Sequence, residues 1–85
     1  MAFDLLAPAM TLDQLPVAQS ATILDVQHPS PLAEQLARMG LVTGERIRLI
    51  RKLPWGGPLE CEIIGYRLSL RRTEAALVRI AADAS

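Results

Sequence analysis

Apolar residues follow two periods along this chain, and each change of period marks a new element. In HPSPLAEQLARMGL (28–41), Leu32, Leu36 and Met39 recur at i, i+4 and i+7, the stripe of an amphipathic helix, while Glu34 and Arg38 pair at i, i+4 on another face. Ser30 is a suitable N-cap, and Pro31 stands at the first helical position, where its missing N–H costs nothing. Gly40 supplies a left-handed residue after the last turn, with Leu41 placed to pack back on Leu36 in a Schellman arrangement. In ERIRLIRKL (45–53) the period drops to two. Ile47, Leu49 and Leu53 point one way and Arg46, Arg48 and Lys52 the other, which predicts a half-buried strand with a basic outer face. ATILDVQ (21–27) is β-branched and apolar on both sides, as expected of a strand covered on both faces.

PLECEIIGYRLSLRR (58–72) reads as two strands around a tight turn. With Gly65-Tyr66 as the two central residues, Ile64 faces Arg67, Ile63 faces Leu68, Glu62 faces Ser69, Cys61 faces Leu70 and Glu60 faces Arg71. That register gathers the apolar pairs on one face and sets Glu60 against Arg71 on the other. TLDQLP (11–16) has room for one helical turn before Pro16 stops it, TEAA (73–76) forms another, and LVRIAA (77–82) reads as a last strand. Residues 1–10 and 83–85 read as tails around a domain spanning 11–82. The order strand, helix, long strand, hairpin, single turn and final strand predicts a mainly β fold, a small SH3-like β-barrel with one short α-helix after the first strand.

Composition narrows the function classes. The chain has 85 residues, 51% of them apolar, and no net charge. The bases are nonetheless segregated: all nine Lys and Arg lie between Arg38 and Arg79. The single Cys61 has no intramolecular partner, and no Cys/His spacing suits a metal, so the fold is expected to be neither stapled nor zinc-built. The first ten residues lack a basic signal-peptide region, and no apolar run approaches the roughly 18–20 residues that span a bilayer. A cytoplasmic protein without membrane insertion is expected. There is no phosphate-binding Gly-rich loop and no Ser/His/Asp set, so neither a catalytic residue nor a cofactor is expected.

The run LARMGLVTGERIRLIRKLPWGGPLECEIIGYRLSLRRTEAALVRI resembles the ferrous iron transport protein A (FeoA) family. Gly40-Leu41, Gly44, Pro54, Gly57-Pro58, Gly65 and Leu68 with Leu70 stand where that family's pattern places them, and the likeness covers residues 11–80. One position departs: Ala18 stands where the family usually has Gly, and a positive φ there would strain it. The resemblance implies an SH3-like barrel without an enzymatic site, an accessory that docks on the cytoplasmic part of the large membrane transporter FeoB and modulates Fe2+ uptake. Its family label also carries transition-metal binding.

For docking, the stretch KLPWGGP (52–58) draws attention, because it sets the only tryptophan among turn residues. Trp55 either caps the barrel end or anchors a partner, with Pro54, Gly56, Gly57 and Pro58 holding the loop stiff. The expected partner surface is this loop together with Met39 at the helix end, Tyr66 at the hairpin, and Arg46, Arg48 and Lys52 on the strand. The basic stripe, extended by Arg67 and Arg71, equally suits a solvated outer face. Asp25 with His28 could touch a metal but forms too small a ligand set, and Cys61, alternating inward, behaves as a small hydrophobe. Two alternatives come from other classes. A nucleic-acid-binding barrel is disfavoured by a sequence pI of 6.5, against the pI above about 9 usual for such modules. A stand-alone metal-regulatory domain would share the barrel found in iron-dependent repressors, but this chain has no helix-turn-helix to accompany it.

Overall fold

The computed structural model describes residues 10–27 and 31–83. Six antiparallel strands form one curled sheet: β1 (Met10–Thr11), β2 (Ser20–Val26), β3 (Arg46–Lys52), β4 (Leu59–Ile63), β5 (Tyr66–Leu70) and β6 (Val78–Ala82), in the spatial order β1-β6-β2-β3-β4-β5. Two helices interrupt them, α1 (Pro31–Arg38) between β2 and β3, and the single turn α2 (Arg72–Ala75) before β6. A 3-10 turn at Leu12–Gln14 follows β1, where the Gln14 side chain accepts from the Thr11 N–H at 3.0 Å. Met10, read from sequence as the end of a tail, instead pairs with Ile80 of β6.

The inward positions of the strands make a dense aliphatic core. Ile23, Ile47, Leu49, Leu59, Cys61, Ile63, Leu70, Val78 and Ile80 are buried with Leu12, Leu15, Leu36 and Leu41 from the connections. No buried residue is polar or charged among those described. Of the helical stripe, Leu36 is buried, and Leu32 and Met39 pack at the edge of the core. The helix ends as its sequence predicts: Leu41 N–H donates to Leu36 C=O and Gly40 N–H to Ala37 C=O, the paired bonds of a Schellman motif, with Gly40 at φ 100°. Ser30 and His28 lie outside the described residues.

Two further sequence expectations are corrected. The β4–β5 turn is centred on Ile64-Gly65, not Gly65-Tyr66, so Ile63 pairs with Tyr66, Glu62 with Arg67, Cys61 with Leu68, Glu60 with Ser69 and Leu59 with Leu70. Both central residues have positive φ, 50° at Ile64 and 80° at Gly65, the mark of a type I′ turn, whose twist matches the flanking strands. Moving the turn by one residue moves each partner by two, so every side chain keeps its predicted face. What selects this register is visible at its ends: Leu59 meets Leu70, both fully buried, and Tyr66, freed from the turn, donates its hydroxyl to the Met39 carbonyl.

The second correction concerns β3. Its pairing with β4 shifts between Leu49 and Arg51, a bulge at Ile50 that reverses the alternation beyond it. Arg51 therefore joins the outer face opposite Glu60, and Lys52 comes opposite the buried Leu59. Lys52 is half-buried and its ammonium donates to the Asp13 carbonyl at 3.0 Å, tying β3 to the 3-10 turn.

Candidate docking surface

The β3–β4 connection is built to hold one side chain outward. Leu53 N–H donates to Pro58 C=O at 3.0 Å, and inside that closure Gly57 N–H donates to Pro54 C=O at 3.1 Å, leaving Trp55 and Gly56 at the centre of a tight turn. Both have positive φ, 56° and 73°. Gly57 is required for a different reason: a Cβ there would come within 3.0 Å of Leu53 Cβ and 3.1 Å of the Pro54 oxygen. On this frame Trp55 is 97% exposed, so of the two uses open to the indole it does not cap the barrel.

Met39 and Pro58 meet in a groove of about 640 Å³ that runs between α1 and β5. Leu32, Gln35 and Met39 form its helical wall, and Ser69, Arg71 and Glu74 the other, with Pro58 contributed by the end of the Trp55 loop. Tyr66 sits beyond Met39, 45% exposed, beside Ile64, which is 60% exposed. The sequence reading passed over Ile64. Its signal was the Gly that follows it, because a two-residue type I′ turn puts the preceding side chain on a tip.

Arg46 and Arg48 lie away from this groove. They line a shallower depression of about 350 Å³ with Ser20, Glu62 and Ile64. Arg46 holds Asp83 in a two-pronged ion pair at 2.7 and 2.5 Å. That hydrogen bond raises the arginine above its usual range and lowers the carboxyl below its own. Arg51 pairs with Glu60 at 2.8 Å. Across the outer face Glu62 stands between Arg48 and Arg67. The bases that a sequence reading strings into one stripe are thus interleaved with acids, as a solvated sheet face requires. Asp25 contacts Arg79 at 3.1 Å, and no group of three or more His, Cys, Asp or Glu residues gathers in a metal-binding arrangement among the described residues. Cys61 is buried, and burial pushes its thiol up to about 11.

The family model described as FeoA domain matches residues 10–82. The chain belongs to the FeoA domain family. Among its relatives is the Fe(2+) transport protein A/Fe(2+) transporter FeoB fusion protein of Porphyromonas gingivalis (strain ATCC BAA-308 / W83), 30% identical over 71 residues. Those residues are 84% of this chain and 8% of the fusion protein, so this FeoA domain spans a small part of that relative's length. Solved structures that share its fold include two FeoA proteins more than 30% identical to it. The Stenotrophomonas maltophilia FeoA, an SH3 domain protein complexed with zinc and advanced as a ferrous iron transport activating factor, is 36% identical, with 87% of this chain and 89% of that one covered and a TM-score of 0.73. Iron(II) transport protein A from Clostridium thermocellum is 33% identical, covering 86% of this chain and 45% of that one, at a TM-score of 0.82. The SH3-like barrel read from the order of elements is the fold of this FeoA domain.

Proposed function

We propose that this FeoA domain is a non-enzymatic docking module that binds the cytoplasmic part of a FeoB-type ferrous iron transporter and modulates Fe2+ uptake. The observation that carries this reading is Trp55, 97% exposed on a turn closed by two backbone hydrogen bonds. An indole offers about 150–250 Å² of surface, and tryptophans at interface centres commonly contribute 2 kcal/mol or more. A stiff loop reduces the ordering cost at docking, so more of that contribution survives as affinity. The fusion relative supports the choice of partner, since joining two polypeptides raises their mutual concentration to about the millimolar range and favours pairs that already work together.

The remaining parts of the proposal follow from the same docking. The working unit is the barrel, residues 10–82, in the cytoplasm, where the transporter's soluble part lies. The single thiol is held in its unreactive protonated form, in keeping with a binding rather than a catalytic role. Nucleic acid is an unsuitable partner because acids interrupt the bases of the outer face.

The test titrates the full chain with the cytoplasmic part of the FeoB-type transporter from the same genome. Trp55 emission should shift to the blue on binding, and Trp55→Ala, followed by calorimetry, should weaken the complex about 30-fold, the equivalent of about 2 kcal/mol. A folded Trp55→Ala protein that binds as tightly as the parent would refute the anchor.

A further inference from the structure

The sheet has two edges, and they differ. At β1 the edge is two residues long. At β5 it is five residues, Tyr66–Leu70, and neither of the sheet's irregularities falls there: they lie between β2 and β6 and between β3 and β4, whereas β4 and β5 pair without a break. Because Ile63 and Tyr66 flank a two-residue turn, they form a hydrogen-bonded pair, and the pairs then alternate. Arg67 and Ser69 fall in the non-bonded pairs, so their N–H and C=O groups point away from β4. β4 is the only strand that pairs with β5 among the described residues, and the loop and turn bonds elsewhere in the chain do not reach Arg67 or Ser69.

Proteins usually blunt such an edge with charged side chains, a proline, a bulge or a covering helix. Of these devices β5 carries only the charge of Arg67. The groove between it and α1 stays open alongside, with Ser69 and Arg71 on one wall and Leu32 and Met39 on the other. Among the described residues neither Arg67 nor Arg71 has a carboxylate within ion-pair distance, in contrast to Arg46 and Arg51, although Glu62 stands opposite Arg67 on β4. Glu74, on the same wall, accepts the Arg71 backbone N–H at 2.8 Å.

We propose that β5 is a docking template on which an extended, acidic segment of a partner protein adds as a seventh strand, bonding to Arg67 and Ser69 and laying alternate side chains into the groove beside α1. Main-chain bonds supply the attachment and the groove supplies the choice of side chain, as in other strand additions. The occupant's charge follows from the edge: carboxylates opposite Arg67 and Arg71 would meet two cations without ion-pair partners. A second copy of this chain fits less well. Of the three registers the outward groups allow, one sets Arg67 against Arg67 of the other copy and one sets it against Arg71, leaving only the register centred on Leu68. The proposal rests on the docking function only for the identity of the partner.

The experiment measures amide hydrogen exchange of the full chain with two probes: the transporter's cytoplasmic part, and a seven-residue peptide alternating valine and glutamate, with a valine–lysine peptide as charge control. Exchange of the Arg67 and Ser69 amides should slow about tenfold with the transporter's cytoplasmic part or the glutamate peptide and not with the lysine control. Ser69→Pro, which removes an outward N–H and no bond of the β4–β5 ladder, should weaken binding at least tenfold while the domain stays folded, and Ser69→Ala should not. Arg71→Glu should weaken it about tenfold without touching the backbone. Complex formation reported by Trp55 with both amides unprotected would overturn the strand reading and leave the docking function standing. Protection by the glutamate peptide with no transporter binding would do the reverse. Protection by neither probe, protection already present in the free monomer, or protection that grows with protein concentration as a dimer forms would each overturn it.

Discussion

Trp55 occupies a backbone position that suits another residue, and replacing it with asparagine separates stability from binding. Its φ of 56°, followed by Gly56 at 73°, is the conformation for which Asn-Gly is the favoured pair. A left-handed conformation costs a residue with a Cβ about 1–2 kcal/mol, and asparagine visits it routinely. Against this stands whatever packing the indole supplies. With 3% of its surface covered, out of roughly 250 Å², that packing is worth about 0.2 kcal/mol at 25 cal/mol per Å². The balance is a gain of about 1 kcal/mol for Trp55→Asn, which in a domain of this size raises the melting temperature by about 4–8 °C. The same substitution removes the proposed anchor, so affinity for the transporter's cytoplasmic part should fall about 30-fold. Thermal melts followed by circular dichroism, paired with calorimetric titration, read both. A melting temperature lowered by Trp55→Asn would mean that the indole packs on the barrel and that the reasoning from exposure is wrong.

Three further outcomes test the core and the turns. Ile63→Asp puts a charge at a position 1% exposed and should unfold the domain, at a cost of several kcal/mol; Glu62→Lys, which turns two cross-strand attractions with Arg48 and Arg67 into repulsions, should cost about 1–2 kcal/mol, and a chemical denaturation series that ranks them the other way would contradict the register. Gly40→Ala should lower the melting temperature more than Gly44→Ala, because both sit at positive φ but only the first new Cβ meets neighbours, Ile64 Cδ1 at 3.1 Å and the Tyr66 hydroxyl at 3.2 Å. Cys61 should resist iodoacetamide in the folded protein, and stability should fall as pH rises from 9.0 towards about 11, by up to about 1.4 kcal/mol per unit, since the unfolded thiol loses its proton first; Cys61→Ala should flatten that limb of the pH–stability curve.

Periodicity carried most of the fold, and the places where it failed have local causes. The helix and its termination were legible because Leu32, Leu36, Met39 and Gly40 each serve one purpose at a fixed spacing. The outer face of β3 was misread from Arg51 on, because a bulge at Ile50 leaves no mark in the pattern: an extra residue in a strand is indistinguishable from a longer strand until its partner is known. The hairpin register was misread because glycine can take either central place of a two-residue turn. A β-branched residue before it argued for the other place, since Ile64 is a poor choice for positive φ. Of the candidate surface, the loop around Trp55 was legible from its composition, and Pro58 at its end shares a groove with Met39. Lys52 does not belong there, being bound to Asp13.

Three residues other than glycine hold positive φ among those described: Ala18, Trp55 and Ile64. Ala18 is explained by the fold. Its N–H donates to Leu49 C=O at 2.7 Å, a bond that pins the loop before β2 onto the core strand, and alanine, the smallest residue with a Cβ, bears the strain there. The other two have no such account. Trp55 and Ile64 stand at the first central positions of turns at the two ends of β4, each followed by a glycine, and both are large, apolar and exposed. Strain of about 1–3 kcal/mol at such a site persists when something other than stability retains it. An asparagine at either position would relieve the backbone at little packing cost for Trp55 and a larger one for Ile64, whose Cδ1 would lie 3.1 Å from a Cβ at Gly40. Two strained apolar tips, one at each end of β4 and both next to an edge strand, therefore argue that these turns are shaped for contact rather than for stability alone.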